Sequence, residues 1–186
     1  MKWGILGILA MLIPFAADAQ VTFSQLAEIT TSPERLEGRF RQDKYLAALD
    51  ATLMSTGVFS YQRGKLIRWE ILEPIRNILE LTPTAMTTMQ ADGEILRLDS
   101  ASNSNAAVLG RIFFSVLTAE WESLSNYFEL TGEIEGRQWH AVLVPIDAAV
   151  MQVFSLIELT GGDLLQEVIL HEKSGDRTTI RLDSHR

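Results

Sequence analysis

The side chains that most often do chemistry are present in this chain, but not at the spacings that chemistry needs. Its three histidines, His140, His171 and His185, lie far apart, and there is no cysteine. A protein zinc site gathers His, Cys and carboxylate ligands at short spacings such as H-E-x-x-H, and no such run occurs. His140 and His171 are therefore expected on the solvent faces of strands. The serines include no G-x-S-x-G elbow and no S-x-x-K motif to place one beside a base. Glu70 with Glu73, or Glu120 with Glu122, could be written as an acid pair, but carboxylates at this density describe a solvated face. Gly161-Gly162 has no Lys-Ser/Thr after it and so reads as a turn, not a phosphate cradle. The expectation is a non-enzymatic protein with no catalytic residues, no metal and no cofactor.

What the chain offers instead is apolar surface arranged with period two. In residues 57–74, GVFSYQRGKLIRWEILEP, two strands flank a short turn. Gly57, Phe59, Tyr61 and Arg63 share one parity, as do Ile67, Trp69 and Ile71 on the return strand, because successive strand side chains point to opposite faces. One face is aliphatic and aromatic; the other carries Ser60, Gln62, Arg68 and Glu70. Such stripes are core in most proteins, yet a half-closed sheet also encloses space that can hold a ligand. Arg63 sits at the rim of the greasy face, where an unpartnered buried charge would be costly. Either it lies just past the strand and reaches water, or it answers a polar group at the mouth of a cavity.

The flanking chain supplies more of the same architecture. Thr22 or Ser24 can cap a short helix carrying Phe23, Leu26, Ala27 and Ile29. Residues 36–46 alternate as a strand, 49–61 continue as strand, and 66–72 return. Residues 77–90 give two short strands, or one kinked, around Pro83. Asp92-Gly93 is a hairpin turn into residues 94–98, and residues 100–105 are a polar loop. Residues 106–117, AAVLGRIFFSVL, form the clearest helix, apolar around most of its circumference and so largely buried, with 119–125 extending it. Strands follow at 126–132, 136–145, 150–160, 164–172 and 177–182. The expected fold is mainly β with some α: an unclosed, strongly curved antiparallel barrel lidded by short helices.

Residues 1–19 read as a cleaved secretory signal: Lys2, a thirteen-residue apolar run from 3 to 15, then Ala17-Asp18-Ala19. The run is short for a hydrocarbon core of about 30 Å. Residues 20–186 are then expected as one domain in an oxidising space, most simply a periplasm. A formal charge of −8 disfavours nucleic acid as a partner, which needs clustered Lys and Arg.

Residues 36–42, LEGRFRQ, 55–63, STGVFSYQR, and 66–74, LIRWEILEP, resemble the N-terminal half of the periplasmic outer-membrane lipoprotein carrier family, LolA. The family shows the same order of a G-x-F-x-Q strand, a glycine-hydrophobic strand, a basic residue at the turn and an R-W-x-x-x-x-P return. Residues 139–147 and the Gly175-Asp176 turn fit its C-terminal half. The resemblance implies a hydrophobic cavity that shields acyl chains, lined here by Phe40, Phe59, Tyr61, Ile67, Trp69 and Ile71. It also implies that Arg63 acts as a lid latch, with Leu109, Ile112 and Phe113 on the lid helix. The implied function is a monomeric carrier shuttling a lipoprotein or other acylated lipid from an inner-membrane donor complex to an outer-membrane acceptor. A periplasmic lipid or lipoprotein sensor of the same fold is the alternative, and a small lipid hydrolase a third reading. This chain departs from the family at Gly64, where proline is usual. It also departs in residues 92–98, which lack the family's Trp or Tyr, and in having no F-x-P-P-like segment after its last strand.

Overall fold

The computed structural model describes residues 21–82, 85–90, 95–99 and 104–185. The expected signal at 1–19, the Asp92-Gly93 turn and the first four residues of the loop expected at 100–105 lie outside the described residues, whereas residues 104 and 105 are helical. Among the described residues eleven strands form one antiparallel sheet. In chain order they are β1 (Arg35–Leu46), β2 (Ala51–Gln62), β3 (Leu66–Glu73), β4 (Asn77–Leu81), β5 (Ala85–Gln90), β6 (Ile95–Asp99), β7 (Phe128–Glu135), β8 (Gln138–Pro145), β9 (Phe154–Gly161), β10 (Leu165–Glu172) and β11 (Arg177–His185). Across the sheet the order runs β6-β5-β4-β3-β2-β1-β11-β10-β9-β8-β7, so the pairing of β1 with β11 joins two meanders. β6 and β7 are left as free edges, and the sheet is not closed.

Among the described residues three α-helices accompany the sheet: α1 (Phe23–Ile29), α2 (Ser104–Thr118) and α3 (Ala148–Val153). α1 begins at a reciprocal cap, in which the Gln25 amide donates to the Thr22 hydroxyl and the Thr22 amide donates to the Gln25 side chain. α2 ends where Ala119 takes a left-handed φ of 56°. The expected extension at 119–125 is therefore a separate 3₁₀ helix, Trp121–Asn126. α3 replaces the first part of the strand expected at 150–160, because the Asp147 carboxylate accepts from the amides of Ala149 and Val150 and starts a helix there. A 3₁₀ turn at Ala47–Leu49 separates β1 from β2, so strand resumes at Ala51 and not at Leu49. The alternatives at 77–90 resolve as two strands, β4 and β5.

The hairpin at 57–74 pairs as its alternation requires: Gly57 opposite Ile71, Phe59 opposite Trp69, Tyr61 opposite Ile67. Gly38-x-Phe40 and Gly57-x-Phe59 interlock on the neighbouring pair, with Gly38 opposite Phe59 and Phe40 opposite Gly57. A Cβ on Gly57 would lie 2.6 Å from the Phe40 ring, and one on Gly38 2.7 Å from the Phe59 ring. Each glycine thus makes the flat space its cross-strand aromatic fills. Trp69 stacks on both rings, with centroids 3.8 Å from Phe40 and 5.7 Å from Phe59. At the far side of the sheet Trp121 meets Trp139 edge to face at 5.4 Å.

Candidate functional site

The aromatic stack stops short of filling the concavity. Beside it lies a cavity of about 280 Å³ whose walls come from both meanders and whose roof is α2. Trp69, Leu79, Leu81 and Met86 wall it from β3, β4 and β5; Phe154, Ile157, Val168, Leu170 and Ile180 wall it from β9, β10 and β11. Gly110, Ile112, Phe113, Val116 and Leu117 of α2 close it above. None of these side chains carries a charge or a hydrogen-bonding group other than the Trp69 indole nitrogen. Such a space cannot orient a polar substrate or stabilise a developing charge; it can only exchange apolar surface with a ligand. Among the described residues no group of three or more His, Asp or Glu could hold a metal ion.

The structure separates the expected site residues into two sets. Trp69, Ile112 and Phe113 line this cavity, and Phe113 meets Trp69 edge to face at 5.7 Å. Phe40, Phe59, Tyr61 and Ile67 face the same side of the sheet but are buried in the packed layer next to it, and Ile71 is half-buried against that layer. The reason is that Phe40, Phe59 and Trp69 satisfy one another by stacking and leave no gap between them. Leu109 falls within α2, but its side chain lies outside those described. The walls from β4, β5, β9, β10 and β11 were not singled out in the sequence. Their alternation marks them as inward-facing, but nothing local says which inward face lacks a filling partner.

The polar contacts that hold the roof gather at the foot of α2. The Ser32 hydroxyl donates to the Thr118 carbonyl at 2.5 Å, and the Tyr61 hydroxyl donates to the Pro33 carbonyl. The Trp121 indole donates to Thr30 Oγ1 at 2.6 Å, and the Ser123 hydroxyl to Ser115 Oγ at 2.6 Å. Residues 30–33, between α1 and β1, are therefore tied to the end of α2 through Thr118 and to the 3₁₀ helix after it through Trp121. Arg63 lies in the turn after β2, 42% exposed, with its guanidinium 3.5 Å from Glu34 and its amide donating to the Glu34 carbonyl. Through Glu34 it touches the segment that carries Ser32. Gly64 follows it at φ 65°, which proline, fixed near −65°, could not adopt.

The outer face of the sheet is charged. Glu70 accepts from Arg76 at 2.6 Å and from Arg68 at 3.2 Å, and Arg68 also donates to Glu80 at 2.5 Å. The Arg76 hydrogen bond, more than that of Arg68, holds the Glu70 carboxyl below its ordinary 4.5 against the opposing effect of burial. His140 and His171, distant in sequence, converge on Glu158, with Nε2–Oε distances of 3.4 and 2.6 Å. Both face solvent as expected. At the end of the sheet where β1 turns into β2 and β3 into β4, Leu49, Leu53, Met54, Leu72 and Ile75 are exposed, joined by Ile146 and Met151 before β9.

The family described as outer membrane lipoprotein carrier protein LolA matches residues 31–186. None of the curated proteins matches the chain. Among solved structures, a LolA superfamily protein from Nitrosomonas europaea is similar at 11% identity and a TM-score of 0.47, covering 88% of this chain and 93% of its own. An outer membrane lipoprotein-sorting protein domain from Vibrio parahaemolyticus is similar at 8% identity and a TM-score of 0.45, covering 88% and 90%. The Pseudomonas aeruginosa MucA/MucB complex is similar at 15% identity and a TM-score of 0.45, covering 88% of this chain and 56% of that one.

Proposed function

From a chain that belongs to the LolA family of outer membrane lipoprotein carrier proteins, we propose a non-enzymatic periplasmic carrier. Residues 20–186 would form its one domain, and it would take up the acyl chain of a lipoprotein or other lipid beneath α2. The observation that carries this reading is the wholly apolar cavity roofed by a single helix. A donor complex in the inner membrane would load it and an acceptor at the outer membrane would empty it. The exposed aliphatic rim formed by Leu49, Leu53, Leu72 and Ile75 supports contact with such partners.

Magnitudes say how the roof must behave. If a methylene is taken as about the size of a water molecule, which occupies roughly 30 Å³ in the liquid, a volume of 280 Å³ holds about nine of them. At about 0.8 kcal/mol per methylene their burial is worth ~7 kcal/mol, which the cost of association, ~4 kcal/mol or more, largely offsets. The cavity as it stands therefore suits one short chain, and a cargo with several chains needs α2 displaced. The hydrogen bond from Ser32 to the Thr118 carbonyl restrains that displacement directly, and Tyr61 restrains it through Pro33 on the same segment. Arg63 acts on it as a latch through Glu34, by fixing the segment that carries Ser32. Open and closed states close in energy would then permit both capture and release.

Native mass spectrometry of the mature protein purified from its own host tests the reading. A discrete acyl-bearing adduct is the expected result. Repeated absence of any adduct, with no displacement of a hydrophobic dye by lipid, would overturn it.

A further inference from the structure

The inner face of the sheet does not stay apolar to its end. Along β1 the residues of one parity are Leu36, Gly38, Phe40, Gln42, Lys44 and Leu46, and from Gly38 to Lys44 they pair without a break with both β2 and β11. Gln42 lies opposite Ile180, a wall of the cavity; Lys44 lies opposite Thr178, which in turn lies opposite Leu170, another wall. Two strand spacings, about 10 Å, thus separate Lys44 from Leu170 at the backbone. The Lys44 ammonium reaches across to Glu172 Oε1 at 3.0 Å. Glu172 is itself the register partner of Phe154, which also lines the cavity. A lysine–glutamate pair therefore stands on the cavity face, at the cavity's edge, with both side chains partly accessible at 34% and 23%. The other ion pairs described above lie on the outer face or in turns.

We infer that Lys44 and Glu172 form a head-group subsite for an amphiphile whose head carries both an ammonium and an anion, its tail lying under α2. The inference rests on the carrier reading and specifies the ligand class of that site. Charge balance gives the argument. A purely anionic head drawn to Lys44 would leave the Glu172 carboxylate unpaired beside it, and a purely cationic head would strand Lys44. A head with both charges exchanges one ion pair for two, and each is a charge-assisted hydrogen bond at the border of an apolar space. Gln42, half-buried, and Thr178, buried at 6% exposure, share the face and offer neutral hydrogen-bonding groups beside the pair.

The experiment is a displacement titration on the delipidated mature chain, using four probes with the same lauroyl or dodecyl tail. They are lauroyl lysophosphatidylethanolamine, dodecanoate, dodecyltrimethylammonium and monolauroylglycerol. The zwitterion is expected to bind roughly tenfold tighter than the other three, the scale of one charge-assisted hydrogen bond. Lys44→Met is expected to bring it down to the level of the neutral probe. The double exchange Lys44→Glu with Glu172→Lys is expected to keep the preference, because the charges remain complementary. Equal affinity for all four heads in the parent protein, a comparison that needs no variant, would overturn the subsite and leave the carrier reading standing. Retention of the full preference by a folded Lys44→Met protein would also overturn it. Binding of none of the four would overturn both.

Discussion

Gly110 offers a way to tell a ligand site from a packing fault. It sits mid-way along α2 and faces the cavity, and among the described residues a Cβ placed on it would touch Leu81 alone, at 3.6 Å, an ordinary contact. Glycine inside a helix costs about 0.8–1.0 kcal/mol relative to alanine. Gly110→Ala should therefore raise stability by about that amount, or ~2–4 °C in Tm for a chain of this size. Gly110→Leu keeps most of the helical gain and projects four carbon groups into the cavity. At roughly 30 Å³ each they occupy about 120 Å³ of the 280 Å³ available. The ligand then loses about four methylenes of burial, ~3 kcal/mol, or roughly a hundredfold in affinity.

Thermal unfolding and displacement of a fluorescent acyl probe read the two effects separately. A cavity kept open for function predicts opposite signs: equal or greater stability with binding lost in Gly110→Leu, and near-parental binding in Gly110→Ala. Parental affinity in a stably folded Gly110→Leu protein would refute the placement of the ligand. A fall in stability for Gly110→Ala would refute the reading of the helix.

Other expectations follow from the same geometry. Gly57→Ala would put a Cβ 2.0 Å from the Glu70 carbonyl oxygen as well as against Phe40, so it should cost about 2–3 kcal/mol, read as a lowered denaturant midpoint. Ser32→Ala removes the donor to Thr118 and should loosen α2 by about 1 kcal/mol, accelerating probe exchange roughly fivefold in stopped flow; Arg63→Leu should act in the same direction with little change in Tm. The Glu70 carboxylate is held below its ordinary 4.5 by Arg76 and Arg68, so its contribution is complete above that pH and is lost as the pH falls through the lower folded value. Acid titration of Arg76→Gln should accordingly show a shallower loss of stability below about pH 4.5 than the parent.

The strands were legible because period two survives any tertiary context that buries one face. The pairing of Phe59 with Trp69 and Tyr61 with Ile67 follows from the parity of residues 57–71 and the short turn between them. α3 was not legible, because a capping Asp147 before an Ala-Ala pair competes with a β-branched run and only the local hydrogen bonds decide. The cavity was half legible. Trp69 and the apolar α2 were marked by their composition, whereas Phe154, Val168 and Ile180 meet them only through the β1–β11 pairing. Arg63 shows the limit from the other side: its parity aims it at the greasy face, but the turn carries it out to Glu34. The convergence of His140 and His171 on Glu158 is likewise a product of strand register across β8, β9 and β10, which no single segment contains.

The account turns on where an acyl chain lies, and photolabelling measures that directly. A fatty acid carrying a diazirine near its methyl end, irradiated in complex with the mature protein and mapped by peptide mass spectrometry, should label α2 between Gly110 and Leu117. It should also label the inward residues Ile157, Val168 and Ile180. Labelling confined to the exposed rim at Leu49 and Ile75, or spread over the outer face around Arg68 and Glu158, would contradict it.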